Sequence, residues 1–591
     1  MRPVALLLPL VAACAGGPST GPDPVAPDRA VPVARALSAG SVVRLLPCEV
    51  RGAPSVHADV VDGLLREALR QSEWLDIAAG PVAAPPVGPA IEVTVDGTDT
   101  GGFTGRDDGT PGGTATAFLL DGEQRRHLAT ALLAGRALPD VLDELAVHVR
   151  QALGDPATAT PLPVARIYSA DAQVIAGCEA AIALVHDGRF ADAMRRLETV
   201  RRRDGGAALV LETMASLASV SGDAERARDL AQEALALTAR LGPTTTHRLL
   251  RTLLLAQASL QPSLAHRFDQ ELWRLAEVAD RERPHDPEVR YTAGIALNFL
   301  GRFADAQAVL TQLTQRLPDH AGAAYHLGWA ALGNGDPDVA RAAFERAAVA
   351  LPQNATVVPL AMSRYEAGDH DELRAWLADL AGEPAVRGST AFHEVLRMQA
   401  AHELLCGDAA AAVECMFEDI AWLLAHPRVL ELRSAELADT AETLVRLGHG
   451  ARLRPLLTQV LDRWPQTMVA DAASYALGLV DASARDDRRP SVEDGLLRRG
   501  RTFWGESLAA FGHHRRGELA AEQQALGRAA QQSSNPLLKA ALVANLRALG
   551  RTAEAEQLRA TLREEMTRID LRRRSQHPLL GPELAFAWLA P

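Results

Sequence analysis

Lysine is almost absent from this chain, and no uniformly basic stretch takes its place. The 591 residues contain 61 Lys and Arg together, of which Lys539 is the only lysine, and the formal net charge is -13. A protein that follows a nucleic-acid backbone needs a basic stripe to neutralise phosphates. The charge balance therefore disfavours nucleic acid as the main partner.

Aromatic residues are also scarce. They make up 4% of the chain, whereas hydrophobic residues as a whole make up 48%. Alanine and leucine supply much of this apolar content, which is what closely stacked helices need where backbones approach across small side chains. The composition predicts a mainly helical protein.

The chain lacks the cysteine spacings of common metal and redox sites. Its five cysteines are Cys14, Cys48, Cys178, Cys406 and Cys415. None forms a CxxC pair, which argues against a zinc ribbon or a thioredoxin-like site. Whether Cys406 and Cys415 form a disulfide is left open, because disulfide geometry is demanding.

Catalytic and nucleotide-binding motifs are missing as well. The sequence has no GxSxG at a strand-to-helix elbow, no GxGxxG after a strand and no GxxxxGK[ST]. His393-Glu394 and His402-Glu403 resemble fragments of HExxH, but a zinc protease needs two histidines four residues apart on one helix face. We therefore predict a protein that is not an enzyme and has neither a cofactor nor a metal ion.

The amino terminus has the pattern of a secretory signal. Arg2 precedes a short apolar run, residues 3–13, and Cys14 follows at once. The segment Val11-Ala12-Ala13-Cys14 resembles the lipobox of bacterial lipoproteins, which implies that Cys14 becomes the lipidated first residue of the mature chain. An ordinary signal with an incidental cysteine, or a wrongly assigned start, is the alternative.

A tether follows this cysteine. Residues 14–40 are rich in Gly, Pro and Ala and cannot bury enough apolar surface to fold. The lipoprotein resemblance, with Ala15 after the cysteine, implies a cell-envelope protein anchored in the outer membrane and facing the periplasm. No other stretch reaches the roughly 18 apolar residues of a membrane helix.

Residues 41–155 have the pattern of a small α/β domain. A strand is expected at residues 41–47, a helix over 56–71 and a second strand at 75–78. Residues 91–95 and 114–120 alternate like a hairpin around a long loop rich in Gly, Asp and Thr. An amphipathic helix over 138–153 closes the domain.

This order of elements resembles the TolB-like amino-terminal module that precedes tetratricopeptide arrays in some bacterial proteins. That module opens with a strand ending in Leu-Pro-Phe. Here Leu46-Pro47 matches, while Cys48 replaces the phenylalanine.

The most informative pattern is a repeat at an offset of 34 residues. The recurring pairs are Gly294 and Gly328, Gly301 and Gly335, Ala306 and Ala340, and Pro318 and Pro352. A 34-residue helix-turn-helix period with these small residues resembles the tetratricopeptide repeat (TPR). Because one such unit cannot bury its apolar face alone, the resemblance implies an α-solenoid with a long concave surface.

The repeat extends in both directions from the clear pair. We expect about nine to eleven units over residues 165–575, followed by a tail at 576–591. An irregular stretch near 480–501 is expected to be an exposed loop that interrupts the array. Further repeat turns are expected at Gly368, Gly407, Gly448, Gly512 and Gly550.

The TPR pattern also implies which side chains face the concave side. They are Tyr291, Ile295, Asn298 and Phe299 from one first helix, and Tyr325, Trp329 and Leu332 from the next. Aromatics on adjacent helices favour a peptide groove, because they give much contact area at low entropy cost. Ordinary packing between helices is the competing interpretation.

These observations predict a mainly α protein, a TPR-type solenoid preceded by a small α/β domain. Its predicted function is that of a lipid-anchored scaffold which binds a protein or peptide in the cell envelope. The alternative is a regulatory or sensory protein, in which the α/β domain binds a ligand and the repeats relay the signal. The oligomeric state is left open.

Overall fold

The computed structural model of the protein describes residues 41–567, with gaps. The gaps are 52–57, 70–74, 80–88, 97–113, 122–123, 133–137, 156–161, 170, 187–188, 222, 262–263, 285, 319, 350, 352, 484–488 and 533–535. Cys14, the tether and the tail at 576–591 lie outside the described residues.

A mixed sheet forms first. Its strands are β1 (Ser41–Leu45), β2 (Glu49–Arg51), β3 (Leu75–Ala79), β4 (Ala90–Asp96), β5 (Thr114–Asp121) and β6 (Gln124–Leu132). Their order is β3-β1-β4-β5-β6, and β2 pairs with β4 beyond the end of β1. β1 runs parallel to β3 and β4, whereas β4, β5 and β6 are antiparallel, with a bulge between Ala117 and Phe118.

Two helices cover this sheet, α1 (Ala58–Leu69) and α2 (Leu138–Ala152). The apolar positions of α1 recur at helical spacing and are at most 2% exposed, namely Val60, Val61, Leu64, Leu65, Ala68 and Leu69. Helix α2 likewise buries Val141, Leu142, Leu145 and Val149. Burial of one face of each helix is what the spacing predicts.

The predicted strand-helix-strand opening and the pairing of β4 with β5 are confirmed. Ile91 lies opposite Leu119, and Val95 opposite Ala115. Strands β2 and β6 were not predicted. β2 has only three residues, and β6 begins with Gln124-Arg-Arg-His127, a polar run without the apolar alternation that marks a strand.

The rest of the described chain is helical and consists of successive pairs, each with a first helix A and a second helix B. Within the described residues the pairs are α4 (Ala172–His186) and α5 (Phe190–Arg203); α6 (Ala208–Val220) and α7 (Ala224–Leu235); α8 (Pro243–Leu260) and α9 (Ala265–Glu282); α10 (Pro287–Phe299) and α11 (Phe303–Arg316); α12 (Ala321–Gly333) and α13 (Pro337–Ala348); α14 (Gln353–Glu366) and α15 (His370–Gly382); α17 (Ala391–Leu405) and α18 (Ala409–Ala425); α20 (Ser434–Arg446) and α21 (Gly450–Arg463); α22 (Met468–Ser483) and α23 (Arg489–Arg498); α24 (Thr502–Arg516) and α25 (Leu519–Gln532); and α26 (Pro536–Ala548) and α27 (Thr552–Thr567). Three short α-helices lie between pairs or precede them, α3 (Val164–Ile167), α16 (Pro384–Arg387) and α19 (Pro427–Leu432), and a short 3₁₀ helix spans Thr238–Arg240.

The glycines of the 34-residue period have the expected roles. A methyl group added at Gly294 would lie 2.5 Å from Leu310 Cδ2, and one added at Gly328 would lie 2.5 Å from Phe344 Cε1. Helix A therefore approaches helix B closely at this position. Gly301 and its equivalent 34 residues later, Gly335, adopt φ of 73° and 77°, a left-handed turn that a residue with a Cβ resists.

Two local predictions differ from the structure. Most of the stretch near 480–501 is helical, because α22 extends to Ser483 and α23 spans Arg489–Arg498. Gly512 does not form a turn, since it is buried inside α24, and the left-handed residue that ends this helix is Gly517, with φ of 73°. The many charged residues near 480–501 look like a loop in sequence. Gly512 was misassigned because glycine occurs both where helices touch and where they end.

The α/β domain and the first repeats share one core. A single cluster of buried apolar side chains runs from Val43 on β1 to Ala256 on α8. At the junction Arg66 Nη2 of α1 lies 2.6 Å from Glu179 Oε1 of α4, and the Tyr168 hydroxyl donates to the same oxygen at 2.8 Å. Helix α1 thereby covers the first repeat helix, as a capping element does in solenoids.

Two further observations concern the membrane and the cysteines. No helix in the described part of the chain is both long and apolar enough to cross a bilayer. Cys48, Cys178, Cys406 and Cys415 are free thiols.

Candidate partner-binding surface

The residues predicted to line a groove lie on two neighbouring A helices, α10 and α12. Ile295, Asn298, Trp329 and Leu332 are buried, with exposures of 2%, 1%, 3% and 6%. They pack between helices in this structure. The other three, Tyr291, Phe299 and Tyr325, are half-buried and keep part of their surface accessible. Partner binding at the seven residues stays a prediction.

The three half-buried aromatics are joined by a histidine that the sequence analysis did not single out. The His326 ring of α12 lies 5.7 Å from the Tyr291 ring, 6.5 Å from Phe299 and 5.4 Å from Tyr325. His326 is also half-buried. We call Tyr291, Phe299, Tyr325 and His326 the aromatic patch. Edge-to-face contacts of this kind hold the rings in defined orientations.

Buried aromatics support the patch from below. The Tyr325 ring lies 6.2 Å from Trp329 and 5.9 Å from Phe344, and those two rings lie 5.5 Å apart. Asn298 Nδ2 donates to the carbonyl oxygen of His326 at 2.8 Å. The patch is therefore fixed by contacts among α10, α12 and α13.

An ion pair between α8 and α10 lies beside the patch, and a further pair joins α8 to α6. Arg251 Nη1 of α8 lies 2.7 Å from Glu288 Oε2 of α10, and its guanidinium carbon lies 4.9 Å from the centre of the Tyr291 ring. Arg248 Nε lies 3.2 Å from Glu212 Oε1 of α6. Each of the four side chains is 11–23% exposed, so these pairs are only partly hydrated.

The pKa values of the border and the patch follow from burial and from these arginines. Burial alone would raise the pKa of Glu288, but Arg251 and Arg248 outweigh it and hold the pKa well below its usual range. Burial, Arg251 and His320 lower the pKa of His326 to about 3, and burial raises the pKa of Tyr291 to about 12. Near neutral pH, His326 and Tyr291 are both uncharged.

A second polar cluster lies buried farther along the array. His393 of α17 has Nδ1 2.5 Å from Asp419 Oδ1 of α18 and Nε2 2.6 Å from Glu436 Oε2 of α20. Arg397 Nη1 lies 3.2 Å from Glu394 Oε2, and Arg433 Nη1 lies 2.8 Å from Glu436 Oε1. We call these six residues the His393 network.

The His393 network is arranged for packing rather than for chemistry. Burial alone would lower the pKa of His393, but the charge of Asp419 and hydrogen bonds to Asp419 and Glu436 outweigh it and raise the pKa to about 9. The protonated ring donates to both carboxylates, so neither nitrogen is available to a substrate or metal ion. Among the described residues, no group of three or more His, Cys, Asp and Glu side chains could hold a metal ion.

A shallow depression along helix α21 coincides with neither cluster. All the residues that line it lie between Ala451 and Arg463, on helix α21. Typical ligand pockets are lined by polar groups that converge from several elements. A depression lined by a single helix has no such arrangement. The aromatic patch is thus the better candidate for a binding surface.

Comparison with known proteins identifies the repeat. Residues 291–355 match the family described as tetratricopeptide repeat. This segment contains most of α10, all of α11 to α13, and the whole aromatic patch. No curated protein matches the sequence.

Several solved structures are similar at low identity. A human IFIT1 dimer with m7Gppp-AAAA is 14% identical, with a TM-score of 0.37, over 61% of this chain and 79% of that chain. PilW, a type IV pilus biogenesis factor, is 15% identical, with a TM-score of 0.26, over 38% of this chain and 98% of that one. YrrB, a TPR protein with an unusual peptide-binding site, is 22% identical, with a TM-score of 0.18, over 30% of this chain and 84% of that one.

Proposed function

We propose that this tetratricopeptide-repeat protein is a non-enzymatic scaffold that binds a protein or peptide on the concave surface of its array. The observation that carries the proposal is the aromatic patch, which keeps accessible aromatic surface on adjacent A helices of a chain with only 4% aromatics. Rigid aromatic side chains dominate the binding energy of many protein interfaces. The repeat match over residues 291–355 includes the patch.

We also propose that the scaffold is anchored to the cell envelope, in the outer membrane and facing the periplasm. The support comes from the lipobox-like segment that ends at Cys14 and from the Gly, Pro and Ala tether after it. One lipid chain gives only marginal membrane binding, whereas several chains on one residue hold a protein stably. A tether of this length would let the array reach a partner away from the bilayer.

A double variant of the aromatic patch tests the proposed binding function. Full-length protein carrying Tyr291→Ala and Tyr325→Ala should capture its envelope partner at least about tenfold less than the wild type, because a few aromatic anchors carry most of an interface energy. The control is Trp464→Ala, a half-buried aromatic at the end of α21. Equal capture by the double variant would exclude the patch as the binding site, provided its circular dichroism is unchanged.

Membrane fractionation tests the anchor. Cys14→Ser should move the protein from the membrane fraction to the soluble fraction, whereas Cys406→Ser, which alters an exposed thiol on the array, should leave it in the membrane fraction. A Cys14→Ser protein that stays membrane-bound would contradict lipidation at this residue.

A sensory role for the α/β domain is the second candidate, and one observation favours it. The core shared between the domain and the first repeats, with the Arg66–Glu179 pair at the junction, provides a contiguous path along which coupling can travel. A small molecule that binds the α/β domain should then change hydrogen exchange in α4 to α7. Unchanged exchange in those helices at saturating ligand would argue against the relay.

A further inference from the structure

The charged side chains beside the aromatic patch are paired with one another within the protein. Arg251 is paired with Glu288 at 2.7 Å and Arg248 with Glu212 at 3.2 Å. All four side chains are 23% exposed or less. Drawing one of these arginines away toward a partner would leave its glutamate partly buried and uncompensated, which costs several kcal/mol. The border is therefore a poor site for a charged partner group.

The side chains of the patch itself are uncharged near neutral pH. The Tyr291 hydroxyl and the His326 ring are both neutral near pH 7, and Phe299 carries no polar group. Leu254 and Leu255 of α8 are half-buried as well, and they pack together with Tyr291 and Phe299 against Leu272, Ile295 and Ala296. The patch thus continues onto a third A helix as an apolar surface.

From this arrangement we infer the chemistry of the partner. We propose that the segment bound at the aromatic patch is an uncharged stretch of a partner protein, with aromatic or aliphatic side chains that pack against Tyr291, Phe299 and Tyr325. This inference rests on the proposed function and specifies its partner class. Burial of apolar area supplies the binding energy, and the paired charges at the border disfavour segments that bring an unpaired charge into contact with them.

The salt dependence of binding follows directly. Salt weakens contacts between exposed charges, because the screening length falls from about 8 Å at 0.15 M ionic strength to about 3 Å at 1 M. Apolar contacts are not weakened by salt. A partner held by apolar contacts should therefore bind about equally well at low and high salt.

Selection of peptides on the full-length protein tests the inference. A phage-displayed library of random 12-residue peptides is selected in 50 mM and in 500 mM NaCl, and binding of each selected peptide is measured by fluorescence anisotropy. We expect a consensus rich in Leu, Phe, Tyr and Trp and poor in Asp, Glu, Lys and Arg, with affinities that change less than about threefold between the two salt concentrations. A conserved charge in the consensus, or a loss of affinity of tenfold or more at high salt, would overturn the inference.

Two variants separate this inference from the proposed function. Selected peptides should lose at least about tenfold in affinity for Tyr291→Ala/Tyr325→Ala. They should keep their affinity for Arg251→Gln/Glu288→Gln, which removes the nearest ion pair with little change in side-chain size. Loss of binding in the Gln variant, with unchanged circular dichroism, contradicts an uncharged partner. Retained binding in the double Ala variant, or failure to select any peptide, contradicts the proposed function itself.

Discussion

At the scale of single residues, the His393 network is a feature with a large expected effect on stability. His393 and Asp419 side chains are each 1% exposed, Arg397 is 4% exposed and Glu394 is 6% exposed. Their partners come from α17, α18 and α20, so the network joins two successive repeats. Buried ion pairs of this kind add little net stability over an apolar core but are costly to break.

Removal of His393 should strongly destabilise the array. His393→Ala leaves Asp419 and Glu436 buried without their shared donor, which we expect to lower the free energy of unfolding by about 3–5 kcal/mol. The measurement is urea denaturation followed by circular dichroism. Arg551→Ala, which removes the exposed pair with Glu554, should have little measurable effect. A loss below about 1 kcal/mol for His393→Ala would contradict the description of the network.

The same network predicts a pH dependence. The pKa of His393 is raised from 6.5 to about 9, so the protonated ring stabilises the fold fully below pH 6.5 and this contribution is lost as the pH rises through 9. The stability advantage of the wild type over His393→Gln should therefore be largest near pH 6 and shrink by pH 9.5. Urea midpoints at a series of pH values measure this difference. An advantage that stays constant across the range would show that His393 is not charged in the folded state.

The sequence could not reveal this network. His393-Glu394 attracts notice only as a fragment of a zinc motif, and local spacing rejects that motif. The groups that bind the ring, Asp419 and Glu436, lie 26 and 43 residues away and are brought together by repeat stacking. By contrast, the stripe of aromatics at Tyr291 and Tyr325 could be predicted, because the 34-residue period gives both positions the same place in their helices.

At the scale of helix pairs, the close approach of A to B depends on a glycine. Gly328 faces the ring of Phe344, which is fully buried and has no room to move. The equivalent contact of Gly294 is with Leu310, which is fully buried as well. Neither position has room for a Cβ without a shift of a packed side chain.

Two glycine substitutions should have opposite effects. Gly328→Ala should lower the free energy of unfolding by about 1–3 kcal/mol, because the added methyl group overlaps the Phe344 ring. The methyl group added by Gly527→Ala in α25 has no neighbouring atom within 4 Å. This substitution should raise the free energy of unfolding by about 0.5–1 kcal/mol, the usual gain for alanine in a helix interior. Thermal unfolding of both variants measures this. A Gly328→Ala variant that is as stable as the wild type would contradict the close approach of helices A and B at this glycine.

Helix ends in the second half of the array were harder to predict than helix faces. The turns at Gly407 and Gly448 have φ of 87° and 89°, as expected, but Gly512 lies inside a helix and Gly517 forms the turn. A glycine is used both where helices touch and where they end, and its sequence context does not distinguish the two uses. The prediction of a loop near 480–501 was wrong because a short helix with many charged residues has the sequence pattern of a loop.

At the scale of the whole molecule, the α/β domain and the first repeats behave as one packed unit. Their common core extends from β1 to α8. The sequence predicted both parts, since strand alternation and helical spacing are local signals. Their docking depends on contacts such as Arg66 with Glu179, 113 residues apart, which no local pattern shows.

A core substitution in the domain should therefore weaken the repeats that it contacts. Leu64→Ala, at a position that is fully buried in α1, should cost about 2–5 kcal/mol and raise hydrogen exchange in α4 to α7 as well as in the sheet. Leu562→Ala in α27 is the matched control, since its small core cluster is separate, and it should affect α26 and α27 alone. If the increase in hydrogen exchange in Leu64→Ala is confined to the α/β domain, the domain and the array unfold independently.

The central claim is that a protein partner binds at the aromatic patch, and site-specific photo-cross-linking in cells tests it most directly. The photoreactive residue p-benzoylphenylalanine replaces Tyr325 in one variant and Trp464 in another, and adducts are resolved by mass after irradiation. We predict a discrete protein adduct from position 325 that is absent from position 464. No adduct at position 325, or the same adducts at both positions, would contradict the claim.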